Sequence, residues 1–135
     1  MRPLERVPAV RRIDTDRNDL FAVTITGDFN AADAENLCGL LEGAYALSER
    51  IDLLVRISEL DGVDVSELQP DTVRYMRDHV ALHVDRCAVI DDGGWAQKIE
   101  RLLAPAAGAE TRHFRLDEEP EAWTWLQARE IAEKA

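Results

Sequence analysis

Two short runs of uninterrupted apolar residues constrain this chain more than anything else in it: Leu53-Leu54-Val55, within Ile51 to Ile57, and Cys87-Ala88-Val89-Ile90. A strand with one wet face alternates apolar and polar residues, whereas a strand covered on both faces reads as continuous apolar sequence. Such double cover is the mark of a parallel sheet with helices packed on it. The stretch between the runs supplies a helix, since Pro70-Asp71-Thr72 opens a segment in which Val73, Met76, Val80 and Val84 recur at three-and-four spacing. Strand, helix and strand in that order predict a right-handed βαβ crossover.

The same reading extends in both directions. Residues 10 to 14 and 20 to 27 flank the turn formers Thr15-Asp16-Arg17-Asn18-Asp19 and predict an antiparallel hairpin, with Gly27 and Asp28 ending its second strand. Asn30 as N-cap, with Asp33 three residues on, starts an amphipathic helix through Ala34, Leu37, Cys38, Leu41, Ala44 and Tyr45 to about Ser48. Gly39 and Gly43 lie one turn apart within it, and close approach of another backbone competes with simple tolerance as their explanation. Gly93-Gly94 leads into a helix carrying Trp95, Ile99, Leu102 and Leu103 and stopped by Pro105. Thr111 to Leu116, with Arg112, His113 and Arg115, predicts a charged edge strand. Asp117 is placed as the cap of a last helix with Ala122, Trp125, Leu126 and Arg129 on one side. The predicted fold is α/β, a mixed sheet of about five strands with a parallel core flanked by helices, in the order ββαβαβαβα. At 135 residues the chain has the size of one domain, spanning 1–135.

That order carries Ile25-Thr26-Gly27 before the first helix and Ala88-Val89-Ile90-Asp91 before Trp95. Leu102-Leu103-Ala104-Pro105, Gly108-Ala109-Glu110, Phe114 and Glu121-Ala122-Trp123-Thr124-Trp125-Leu126 follow. Together they resemble the SpoIIAA-like family of bacterial STAS proteins over roughly residues 18 to 127. The resemblance implies a mixed sheet flanked by helices, related to the STAS anti-sigma-factor antagonists and to the CRAL-TRIO lipid-binding domain. Most members of the family have no established biochemical role, so function must be argued from the site; no enzymatic activity and no cofactor are expected here. The antagonists carry a phosphorylatable serine at the start of the helix after the strand corresponding to Ile51 to Ile57, for which the candidates here are Ser58 and Ser66. Neither reproduces the Asp-Ser-Ser/Thr-Gly pattern, and Glu67 beside Ser66 opposes added phosphate charge, so Ser66 reads as a loop or cap serine.

Charge narrows the partners. Sixteen Lys and Arg against 27 Asp and Glu leave a net −11, which repels polyphosphate and anionic headgroups, so nucleic acid is excluded as an expected partner. The Arg2, Arg6, Arg11 and Arg12 cluster reads as a solvated segment. No apolar run reaches the length of a membrane span, and no apolar stretch of signal-peptide length follows Met1-Arg2-Pro3. Cytoplasmic residence is expected. Cys38 and Cys87 form no CxxC pair and read as small buried hydrophobes of a reducing compartment.

Chemical constellations are sparse. His79 and His83, four apart on one helix, have metal-ligand spacing, but His113 is the remaining histidine and no His-Glu-x-x-His pattern is present. Asp91 and Asp92 follow a buried strand and fall at the carboxyl edge of the sheet, where open α/β folds bind ligands. Asp92 also suits a helix cap, and Gly93-Gly94 lacks the pattern of a phosphate loop. No catalytic residue and no metal ligand is assigned. The reading is a non-enzymatic domain that binds a protein partner or a small apolar, lipid-like ligand, lined by Met76, Val80, Trp95 and Ile99. An enzyme or metal-binding protein using Asp91, Asp92 and the two helical histidines is the alternative. A homodimer is expected, from the charged edge strand and a tryptophan-rich terminal helix that leaves apolar surface uncovered.

Overall fold

Alternation in Leu20–Asn30 sends Phe21, Val23 and Ile25 to one face of the sheet and Leu20, Ala22 and Thr24 to the other. This strand, β2, is an interior strand of the sheet. The computed structural model describes residues 9–92, 94 and 110–131. Val10–Ile13 (β1) pairs antiparallel with β2, and Ile51–Asp64 (β3), Val84–Asp91 (β4) and Glu110–Phe114 (β5) add in parallel, giving one five-stranded mixed sheet in the order β1-β2-β3-β4-β5. The helix expected from Trp95 to Pro105 lies outside the described residues.

Ala31–Leu47 (α1) joins β2 to β3, and Pro70–His83 (α2) joins β3 to β4. Asn30 caps α1 as its sequence predicts. Its side chain accepts the Asp33 amide at 3.2 Å while Asp33 accepts the Asn30 amide at 2.9 Å, a reciprocal capping box. Both helices cover one face, where Leu37, Leu41, Met76 and Val80 meet Phe21, Val23, Ile25, Leu53, Val55 and Val89. Two crossovers that move the same way across a sheet with one handedness fall on the same side. The opposite face carries Ala22, Leu54, Ala88 and Ile90 and is covered by Glu119–Trp125 (α3), with Trp123 and Leu126 buried against it. That double cover accounts for the continuous apolar runs of β3 and β4.

Three expectations change. β2 does not stop at Gly27 and Asp28 but runs to Asn30, with Phe29 buried, and β3 runs past Ile57 to Asp64. On α3, Ala122 and Leu126 are buried and Trp125 packs half-buried against the same cluster, as the spacing predicts, with Trp123 buried beside them. Asp117 lies in a short 3-10 turn at Leu116–Glu118 and pairs with Arg115 instead of capping α3. Among the described residues a Cβ placed on Gly39 or Gly43 would meet nothing within 4 Å, so no described backbone approaches them closely.

α3 is fastened by charge as well as by apolar contact. Asp52, 4% exposed, accepts Arg17 Nη1 at 2.9 Å, Arg86 Nη2 at 2.8 Å and the Arg86 amide at 3.2 Å. The same two guanidiniums donate onward to the carbonyls of Leu126, at 2.6 Å, and Trp125, at 2.8 Å. One buried carboxylate thus links the amino end of β3 to the carboxyl end of α3 through two arginines.

Candidate ligand crevice at the carboxyl edge of the sheet

The register of β2 against β3 slips twice. Ile25 faces Ile57 and Gly27 faces Leu60, so Ser58 and Glu59 together oppose Thr26; Asp61 is then the extra residue before Asp28 faces Gly62. The chain takes the first bulge with two left-handed residues, Gly27 at φ 73° and Glu59 at φ 53°. Glycine adopts that conformation freely, whereas for Glu59 it costs on the order of 1 kcal/mol or more. A bulge bends its strand and re-aims the side chains around it. Here it lifts Ser58 and Glu59 toward the ends of β4 and β5.

The result is a half-open hollow of about 260 Å3 lined by Ile57, Ser58, Glu59, Leu60, Asp91, Asp92 and Leu116. Ile57, Leu60 and Leu116 are its apolar residues, and three carboxylates stand around them. Asp92 closes one side by accepting the Leu116 amide at 2.9 Å, which ties the end of β4 to the turn after β5. Gly94, just beyond, is also left-handed, at φ 77°.

Asp91 and Asp92 are therefore brought together where the sequence placed them, at the carboxyl edge, and Asp92 caps a turn, though of the chain after β5. Met76 and Val80 are not in the hollow. They are 2% and 1% exposed, buried in the core beneath α2. Trp95 and Ile99 lie outside the described residues. The bulge residues Ser58, Glu59 and Leu60 were not among the expected ligand contacts, and the one hint of them is a glycine inside an alternating strand, followed at two residues by buried Phe29.

The histidines sit elsewhere, between α1 and α2. His79 Nδ1 lies 3.3 Å from Glu42 and its ring is 3.9 Å from that of Tyr75; His83 stacks on Tyr45 at 4.4 Å and its Nδ1 meets the Glu49 carbonyl at 2.8 Å. Among the described residues no three His, Cys, Asp or Glu side chains converge as metal ligands. Burial pushes the Cys38 thiol up, helped by Glu42, which disfavours the reactive thiolate. Ser66 donates to Asp64 at 2.7 Å beside Glu67, and its amide meets the same carboxylate at 3.1 Å, holding Asp64 below the usual carboxylate range. Trp125 packs against the Arg86 and Arg112 guanidiniums, at 5.4 and 4.8 Å, and Trp123 is buried. The terminal helix therefore covers within the chain the apolar surface on which the expected homodimer rested.

A sequence model of the SpoIIAA-like family matches residues 20–127. The chain belongs to the SpoIIAA-like family. Among solved structures it is similar to an uncharacterized protein from the DUF3478 family with a SpoIIAA-like fold from Shewanella loihica PV-4. The TM-score is 0.63 at 23% identity, over 92% of this chain and 98% of that one. At that identity the likeness establishes the fold. No curated protein matches this SpoIIAA-like chain. Among its described residues no helix is long and apolar enough to cross a membrane.

Proposed function

We propose that this SpoIIAA-like domain is a non-enzymatic binding module whose carboxyl-edge hollow receives an apolar side chain of a protein partner, one flanked by basic residues. The observation that carries the reading is the combination of Ile57, Leu60 and Leu116 with Glu59, Asp91 and Asp92 around them. At about 260 Å3 the hollow falls below the roughly 300–1,000 Å3 of small-molecule sites, which favours a partner's side chain over a whole apolar ligand. Carboxylates around an apolar floor repel anionic headgroups and attract lysine or arginine next to the inserted residue. In this reading Met76 and Val80 hold α2 in place, and Trp95 and Ile99 follow the Asp92 side of the hollow in sequence. The small apolar ligand remains the competing occupant.

Selection of random displayed peptides on the purified chain tests the proposal, with counter-selection on a Ser58→Arg variant whose long side chain fills the hollow. The expected outcome is enrichment of an apolar residue between basic ones, lost on the folded variant. Enrichment indifferent to Ser58→Arg, or of acidic sequences, overturns it.

A further inference from the structure

A second concavity lies at the opposite, amino edge of the sheet. Its volume is about 570 Å3, and it is bounded by the β1–β2 turn, the end of α1 and Ile131. Ile13 and Leu20, 6% and 3% exposed, contribute its buried apolar residues. At its edges two large apolar side chains stand in water, Leu47 at 83% exposure and Ile131 at 53%. Leu47 is the last residue of α1, and nothing in the core requires a leucine there. Exposed apolar side chains gathered around a hollow mark a binding surface more than scattered ones do.

Its polar groups are of two kinds. Arg12 is exposed and lies with its guanidinium 5.6 Å from the Phe21 ring, and it makes no ion pair among the described residues. Arg17, by contrast, is neutralised by Asp19 and Asp52 and serves as a fixed wall. The other kind is the C-terminus of α1 at Leu47 and Ser48. The last carbonyls of a helix lack intrahelical donors, and α1 has no basic residue in its last turn to complement them. Asp14 on the same rim adds a further acceptor.

An occupant that satisfies this groove brings three things: an apolar group for Leu20, Leu47 and Ile131, one carboxylate for Arg12, and N–H donors for the end of α1. A fatty carboxylate lacks the donors, and an internal peptide segment lacks the carboxylate unless an acidic side chain supplies it. We propose that the amino-edge groove receives the C-terminus of a partner polypeptide ending in an apolar residue, its free carboxylate on Arg12 and its amides toward the end of α1. The net charge of −11 disfavours anions in general. A monoanion whose apolar side chain is buried at the same time is the kind that such a surface still holds.

The probes are N-acetyl-Ala-Ala-Leu as free acid, the same tripeptide as C-terminal amide, and decanoate, each titrated into the 15N-labelled chain. The free acid should shift the amides of Arg12, Leu20, Leu47, Ser48 and Ile131 and bind at least about tenfold tighter than the amide, as expected for a charge-assisted hydrogen bond. Arg12→Gln should abolish the difference between acid and amide, and Leu47→Ser should weaken the acid several-fold; both positions are exposed, so neither change touches the core. Equal binding of acid and amide overturns the proposal, as do shifts outside the groove. Decanoate binding as tightly as the tripeptide acid overturns the peptide assignment in favour of apolar carboxylates at large.

Discussion

Tyr45 shows how a single atom can be placed at a cost. Its ring is buried between α1 and α2 and stacks on His83, yet its hydroxyl has no hydrogen-bond partner among the described residues. Burial, with Glu42 and Cys38 nearby, pushes the phenol well above its ordinary value, so the group stays protonated where exposed tyrosines ionise. A buried hydroxyl without a partner forfeits its hydration and regains nothing. Tyr45→Phe should therefore raise stability, by about 1 kcal/mol, seen as a higher urea midpoint with an unchanged slope. A loss of stability would reveal a hydrogen bond to the hydroxyl. Glu59 is the complementary case, in which strain is held at the edge of the candidate hollow and the backbone, not the side chain, bears it.

At the scale of elements, what the sequence made legible and what it concealed have separate causes. The cores of β3 and β4 were plain because burial on both faces leaves no polar residue in Leu53-Leu54-Val55 or Cys87-Ala88-Val89-Ile90. α1 was plain because its capping box is written in Asn30 and Asp33. The second half of β3 was hidden: Ser58-Glu59-Leu60-Asp61-Gly62 has the composition of a turn, and its pairing with β2 survives only by two bulges that local sequence does not encode. Since the candidate hollow is made by the first of those bulges, its position on the sheet was foreseeable from Asp91 and Asp92 while its far wall was not. The glycines of α1 were open between two readings, and the structure leaves space around both. Gly39→Ala and Gly43→Ala, on the exposed side of a 17-residue helix, should each add about 0.5–1 kcal/mol, nearly additively when combined, as thermal unfolding would show. Destabilisation by either would mean that something packs there in solution.

For the molecule as a whole, the two sheet faces are closed by different means. α1 and α2 bring a broad apolar contact, whereas seven-residue α3 combines a smaller apolar contact with the Asp52 junction and with Arg56, which reaches Glu119 at 2.7 Å and Glu130 at 3.2 Å. Asp52→Asn leaves two guanidiniums facing each other's positive charge, and the expected loss is about 3 kcal/mol, at the low end for a broken buried pair because both arginines are partly exposed. Equilibrium denaturation measures it; a loss below half that value would mean that the arginines find water without moving α3. Past α3 the chain crosses back to the first hairpin, where Thr15 bridges Glu130 and the Ile131 amide donates to the Asp14 carbonyl at 2.9 Å. This crossing bears on synthesis. Residues 14 to 19 are made before their partners at 126 to 131, which come after every described strand of the sheet, so the hairpin turn, Arg17 and Asp52 must wait until α3 has been made before they can be fastened. A nascent chain halted between β5 and α3 therefore holds one apolar face of its sheet and an arginine–aspartate pair without the α3 cover of the finished molecule, a state that chaperones would recognise.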